Sequence, residues 1–207
     1  MNNKSNSKVI TASKEKRLFI ATFVNILLTV AQIIGGLISG SLSLISDALH
    51  NFSDAASLLL ALLAVKIGQK KPDLSKTFGY QRAETVAALI NFTTLIIIGL
   101  FLMYEAVIRL IYPKPISGWM VVIIAIIALI VDIITAMLTY KESKKSMNIK
   151  AAFLHNLTDA LASVGVVVAG TLILLYNWLW VDAVVTFLIS AYVLWQGLRE
   201  IPKAIHL

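Results

Sequence analysis

The chain alternates between long apolar runs and short segments that carry charge, proline or glycine, and this alternation predicts its elements. A helix needs about 20 apolar residues to cross the hydrocarbon layer of a membrane. Six runs are long enough, so the sequence predicts an all-α, six-helix transmembrane bundle. The predicted helices lie near residues 17–39, 41–67, 83–111, 117–140, 148–175 and 182–202.

Composition agrees with a membrane protein and excludes several kinds of chemistry. Of the 207 residues, 58% are hydrophobic and 14% are charged, whereas soluble domains carry about 25% charged residues. There is no cysteine, which excludes disulfides, thiolate nucleophiles and cysteine-held metals. The net charge of +7 comes from short basic blocks between the apolar runs, so no nucleic-acid partner is indicated.

The positions of the basic residues predict how the helices are oriented. Cytoplasmic loops of membrane proteins are enriched in Lys and Arg. With the N-terminus inside, 16 of the 18 basic residues face the cytoplasm, and only Arg109 and Lys114 lie outside. Both termini are therefore predicted to be cytoplasmic. Residues 1–16 are polar and lack a signal-peptide pattern, so we expect a cytoplasmic tail ahead of a membrane domain at 17–207.

A short motif occurs twice, once in the second predicted helix and once in the fifth. Residues 49–55 recur as residues 154–160, with five of the seven positions identical. Each copy places a His and an Asp four residues apart, and therefore on one face of its helix. The two pairs are His50 with Asp54 and His155 with Asp159.

The predicted topology makes the two copies antiparallel and brings them to the same depth. At 1.5 Å per residue, His50 lies about 14 Å below the outer surface and Asp159 about 16 Å above the inner one. In a hydrocarbon core of about 30 Å these two residues are level, and Asp54 is likewise level with His155. We therefore expect all four side chains to converge near the middle of the membrane.

Two imidazoles and two carboxylates suit a tetrahedral divalent cation, a geometry and ligand type that zinc prefers. Co²⁺, Cd²⁺, Ni²⁺ and Fe²⁺ stay open. The alternative is that each His–Asp pair is a hydrogen-bonded strut between helices. Duplication at matched depth favours a ligand site, because ionisable groups inside a membrane are costly to keep. No glutamate base accompanies the pairs, so a transporter is favoured over a hydrolytic zinc enzyme.

Three polar residues near the His–Asp pairs are assigned to the surroundings of the site or to its entrance. Asp47 lies one helical turn before His50 and is a candidate partner that orients this imidazole, since metal-bound histidines usually have one. Direct ligation is the less favoured alternative, because four ligands already complete a tetrahedron. The other two residues are Asn51 and Asn156.

Two further polar features lie outside the repeated motif. Asp132 is a lone acid in the fourth predicted helix, which places it either on a proton path or in a pair with Asn25, Gln32 or Asn91. Glu105 and Arg109 are four residues apart at the outer end of the third predicted helix, a spacing typical of a salt bridge.

Four segments of the chain, residues 46–54, 77–84, 105–115 and 155–159, resemble motifs of the cation diffusion facilitator family, and the resemblance covers nearly the whole chain. The resemblance implies a homodimeric metal/proton antiporter that exports a divalent cation, with transport-site positions at His50, Asp54, His155 and Asp159. The histidines are similar to those of zinc-preferring members, without excluding cadmium or cobalt. Zinc is then the transported substrate and not a cofactor.

The chain departs from the family pattern in two places. Residues 72–80 contain no histidine, so we expect no metal site in the loop between the second and third helices. The family normally continues into a cytoplasmic metal-binding domain, which we expect to be absent because the chain stops at Leu207. The chain is then either a shortened version of a longer protein or a naturally short member of the family.

The expected location is a bacterial plasma membrane, with lipid and a second copy of the chain as partners. A membrane protein that binds metal for a structural or regulatory purpose, without moving it, is the alternative function.

Overall fold

The computed structural model describes residues 24–68, 82–143 and 147–205. All regular structure in these ranges is helical, which confirms the all-α, six-helix prediction, and the predicted ends lie within three residues of the observed ones wherever both are described. The helices are α1 (Val24–Ser39), α2 (Leu42–Gly68), α3 (Arg82–Ile111), α4 (Gly118–Ser143), α5 (Met147–Tyr176) and α6 (Trp180–Ile205).

Four of these helices contain a segment that is long and apolar enough to cross a membrane. They are the last four, and the segments are Thr85–Ile111, Gly118–Met137, Phe153–Tyr176 and Trp180–Arg199. Large apolar side chains project from the surface of all six helices, as expected where lipid surrounds the protein. The predicted tail at 1–16 and the loop at 72–80 lie outside the described residues, and the cytoplasmic placement of the termini stays a prediction.

The main apolar core lies between α2, α4, α5 and α6, and Leu95 of α3 also belongs to it. Its buried apolar members include Leu44, Val121, Val166 and Ile189, one from each of the first four helices named. The most extensive packing is between α4 and α5 and between α3 and α6, while α2 packs mainly on α3 and α6. The second copy of the motif therefore lies in the α4–α5 pair, whereas the first copy lies on α2, which packs on α3 and α6.

Glycines let α4 and α5 approach each other closely. A Cβ atom on Gly170 would lie 2.9 Å from Val121 Cγ1 and 3.1 Å from the backbone nitrogen of Val122. A Cβ atom on Gly118 would lie 2.7 Å from the backbone nitrogen of Leu174. Small residues at such crossings are typical of helices packed in membranes.

One end of the bundle carries the α1–α2, α3–α4 and α5–α6 connections, and we call it the outer end because the charge pattern predicts that it faces outward. Glu105 Oε1 there lies 2.9 Å from Lys114 Nζ and 3.4 Å from Arg109 Nε, so the predicted Glu105–Arg109 pair is confirmed. Arg109 also donates to the carbonyl oxygen of Gly40. Gly40 has a φ of 76°, which glycine adopts readily, and turns the chain from α1 into α2.

Gly170→Ala should lower the stability of the protein, because its new methyl group meets backbone as well as side chains of α4. We expect a loss of about 1–3 kcal/mol, seen as a lower midpoint of thermal unfolding in detergent. Gly165→Ala is the matched control in the same helix, since its Cβ atom would meet only Val185 Cγ1, at 3.6 Å. Equal midpoints for the two variants would contradict this account of the α4–α5 crossing.

Candidate metal centre

The structure brings the two His–Asp pairs together between α2 and α5. One ligand atom from each of the four residues lies within 4.8 Å of the other three. Across the two helices, His50 Nε2 lies 3.4 Å from Asp159 Oδ1, and His155 Nε2 lies 3.0 Å from Asp54 Oδ2. These are the level partners that the depth calculation predicts.

Within each helix the motif spacing sets a second distance. His50 Nε2 lies 3.6 Å from Asp54 Oδ2, and His155 Nε2 lies 3.6 Å from Asp159 Oδ2. Residues four apart face the same way on a helix, so each helix presents both of its side chains to the other helix. The four side chains therefore form a closed ring in which nitrogen and oxygen ligands alternate.

Burial divides this ring into two halves. The side chains of His50 and Asp159 are 4% and 9% exposed, whereas those of His155 and Asp54 are 33% and 31% exposed. His50 Nε2, Asp159 Oδ1 and Asp54 Oδ2 are buried without a hydrogen-bond partner in the described part of the chain. Buried polar atoms normally have partners, so three atoms of this kind facing one another are what a cation site requires.

An apolar cleft of about 270 Å³ opens beside the buried half of the ring. His50 and Asp159 form part of its wall, and apolar side chains of α5 and α6, such as Leu161 and Leu188, form most of the rest. The phenol group of Tyr192 packs edge to face against the His50 imidazole, with the centroids of the two aromatic groups 6.2 Å apart. α6 thus contacts the group of four side chains without contributing one of them.

Asp47 is fully buried beside the ring, and its described hydrogen bond goes to α1 and not to His50. Its Oδ2 atom accepts a 2.6 Å hydrogen bond from Gln32 Nε2 of α1. His50 Nδ1 is buried and has no hydrogen-bond partner among the described residues, so Asp47 makes no hydrogen bond to it there, and the assignment of Asp47 to the surroundings of the site stays a prediction. The residues next to the histidines also differ from each other, because Asn51 is buried and Asn156 is only half-buried.

Asp132 has a different partner from the three that the sequence suggested. Its Oδ2 atom accepts a 2.7 Å hydrogen bond from Ser163 Oγ. Ser163 follows Asp159 by four residues on α5, so Asp132 lies about one helical turn from the ring. The amide of Gln32 instead donates to Asp47, and Ser163 is the hydrogen-bond donor given for Asp132 in the described part of the chain.

The sequence reasoning missed Asp182, a fully buried acid in the first turn of α6. Its Oδ1 atom accepts hydrogen bonds of 2.6 Å from the hydroxyls of both Ser41 and Ser43, and its Oδ2 atom accepts one of 2.8 Å from the backbone nitrogen of Leu42. The signal was available, since an acid at the start of one helix and a Ser-x-Ser at the start of another are predicted at the same end of the bundle. Nothing in the periodicity of either helix shows that they meet.

A family model for the cation efflux transmembrane domain matches residues 18–207. The chain belongs to the cation efflux, or cation diffusion facilitator, family. The described helices and the bacterial relatives identify it as a multi-pass integral protein of a bacterial plasma membrane.

Several curated relatives of this chain are named as metal transporters. The chain is 40% identical over 196 residues to the zinc transporter ZitB of Pectobacterium atrosepticum, covering 94% of this chain and 61% of that protein. It is 36% identical over 195 residues to the cadmium, cobalt and zinc/H(+)-K(+) antiporter of Bacillus subtilis, covering 93% of this chain and 63% of the other. The chain thus spans about three fifths of the length of these relatives.

Gln32→Leu should lower the stability of the protein, because it leaves the buried carboxyl of Asp47 without the amide that now donates to it. A buried polar group without its partner costs about 1–3 kcal/mol, which would appear as a lower thermal midpoint. Ser57→Ala is the control, since the Ser57 hydroxyl donates only to the Ser53 carbonyl of its own helix. An unchanged midpoint in Gln32→Leu would show that the Asp47–Gln32 bond does not support α1 against α2.

Proposed function

We propose that this chain exports a divalent metal cation from the cytoplasm in exchange for protons, with zinc as the favoured substrate. The observation that carries the proposal is the ring formed by His50, Asp54, His155 and Asp159, whose ligand atoms lie within 4.8 Å of one another. The ring lies between two antiparallel copies of one motif, the arrangement expected of an alternating-access transporter. The four residues are proposed as the ligands of the transported ion.

The dimensions of the ring support a tetrahedral ion. A tetrahedron with metal–ligand bonds of about 2.1 Å has edges of about 3.4 Å. The four shortest His–Asp separations, which reach Asp159 through both of its carboxylate oxygens, are 3.0–3.6 Å and therefore near that edge length. Two nitrogens and two oxygens suit zinc, whereas calcium and magnesium need six or more oxygen ligands. Cadmium and cobalt stay as further substrates, as the name of the Bacillus subtilis relative suggests.

Exchange with protons follows from the chemistry of the ligands. Histidine binds a metal when it is neutral, and aspartate binds one when it is ionised, so metal and protons compete for the same atoms. A metal ion that enters from the cytoplasm displaces protons, and protons that enter from outside release the metal. An inward proton gradient therefore drives export, which makes the protein a secondary active transporter.

The uneven burial of the ring supports entry from the cytoplasmic side. Asp54 follows His50 by four residues on α2, which the predicted topology runs inward. His155 precedes Asp159 by four residues on α5, which runs outward. The more exposed residues, Asp54 and His155, are therefore the two nearer the predicted cytoplasmic end. The dimer and the lipid contacts that the family resemblance implies stay predictions.

Asp54→Ala and Asp159→Ala should each weaken zinc binding by about 100-fold or more, because a tetrahedral site loses one of its four ligands. The measurement is titration of detergent-solubilised protein with zinc, with the released protons recorded at the same time. Asp132→Asn is the control, since Asp132 is also a buried acid but lies outside the ring. The wild type should bind about one zinc per chain and release protons, and binding should weaken as the pH falls.

Survival of wild-type binding in both Ala variants would contradict the proposed site. Binding with proton release but without flux in proteoliposomes would instead favour the alternative function, a metal-binding structural or regulatory membrane protein.

Asp132 is proposed as a residue of the proton path, because it is an acid inside the membrane about one turn from the ring. Asp132→Asn should keep the zinc affinity within about threefold, but should slow zinc flux driven by a pH gradient by about tenfold. The flux is measured in proteoliposomes with an internal zinc indicator. Thr171→Val removes a hydroxyl that donates to the Val167 carbonyl of its own helix and serves as the control. A wild-type rate in Asp132→Asn would remove Asp132 from the path.

A further inference from the structure

A buried carboxylate fixes α6 to the beginning of α2. We define the outer latch as Asp182 together with Ser41, Leu42 and Ser43. Asp182 and both serines are 0% exposed. Besides the two hydroxyls and the Leu42 nitrogen described above, the backbone nitrogen of Ser43 lies 3.2 Å from Asp182 Oδ1. One carboxylate thus accepts four hydrogen bonds at the start of a helix that belongs to another segment of the chain.

The latch is stronger than the neutral contacts found elsewhere between the helices. Hydrogen bonds to an ionised group are about twice as strong as those between neutral groups. A negative charge at a helix N-terminus is also stabilised by the unpaired backbone amides there. A buried charge is costly unless such partners are present, so the position of Asp182 relative to the first turn of α2 is tightly determined.

Contacts between α2 and α6 continue from the latch to the ring. Ser46 Oγ lies 3.5 Å from Ser190 Oγ, and both residues are buried. One turn further along α2, the His50 imidazole contacts the phenol group of Tyr192 on α6. His50 is eight residues from Leu42, or about 12 Å along the helix axis. The latch therefore holds the same face of α2 that presents the first proposed ligand.

We propose that Asp182 is a positioning residue that sets the height and rotation of α2, so that His50 and Asp54 stay level with His155 and Asp159. A slip of one residue along α2 would move its ligands by about 1.5 Å and rotate them by about 100°. Either change would break a ring whose edges are 3.0–3.6 Å. The role in metal binding rests on the proposed function, whereas the effect on α2 does not.

The position of α2 can be measured without metal, because the chain contains no cysteine. Ser46→Cys with Ser190→Cys introduces the only two thiols, at positions whose hydroxyls are 3.5 Å apart. Adding Asp182→Asn should slow disulfide formation between them by about fivefold or more, since charge-assisted bonds are lost. The control is Thr171→Val, which removes a partly buried hydroxyl that donates to the Val167 carbonyl of its own helix.

Zinc binding is then measured for Asp182→Asn and Thr171→Val in a chain that keeps the original Ser46 and Ser190. Asp182→Asn should raise the Kd for zinc by about tenfold and weaken the visible absorption that bound Co²⁺ shows in a tetrahedral site. Ser41→Ala with Ser43→Ala keeps the carboxylate and its backbone donors, so it should fold and show the same changes to a smaller degree. Thr171→Val should match the wild type in both measurements.

Wild-type Kd values and Co²⁺ spectra in both latch variants would overturn the proposal, even if disulfide formation slowed. An unchanged rate of disulfide formation in Asp182→Asn would also overturn it, because α2 would then keep its position without the carboxylate. Failure of the wild-type chain to bind zinc would instead count against the proposed function, and the disulfide rate would still decide whether Asp182 positions α2.

Discussion

The structure depends on one constraint, which is that a polar or ionisable group inside a membrane must find its partners within the protein. Asp182 finds them in the first turn of α2, Asp47 in Gln32 and Asp132 in Ser163. Each bond joins two different helices. Apolar side chains pack about as favourably against lipid as against another helix, so apolar packing alone does not fix how two helices are placed. The hydrogen bonds of the buried acids do fix that placement.

The atoms of the ring are exceptions to this constraint, and that contrast sets them apart from the other buried acids. Every other buried acid described has a hydrogen-bond donor, whereas three ring atoms face one another without one in the described part of the chain. Four titratable side chains from two helices are also a costly way to build a strut. Under the proposed function, these same atoms would hold protons when the metal is absent and exchange them for the cation.

The sequence was sufficient for the helices, the pairing of ring residues and the Glu105–Arg109 bridge, because each follows from local spacing combined with a topology. It was insufficient for Asp47, Asp132 and Asp182. The partner of each of these acids lies on another helix, at a rotation that periodicity does not fix. The repeated motif was predictable because its two copies lie at the same predicted depth on antiparallel helices, so each copy indicates the partner of the other.

The packing also indicates how such a ring can serve transport. α2 rests mainly on α3 and α6, and α5 rests mainly on α4, so direct packing of α2 on α5 is limited. The four side chains are therefore one link between the group of α2, α3 and α6 and the pair of α4 and α5, alongside the apolar core that both share. Their closest contacts, 3.0 and 3.4 Å, cross from one group to the other. A small movement between the groups would lengthen those two distances first and leave the 3.6 Å distances within each helix unchanged. Binding and release would then be set by the separation of α2 and α5.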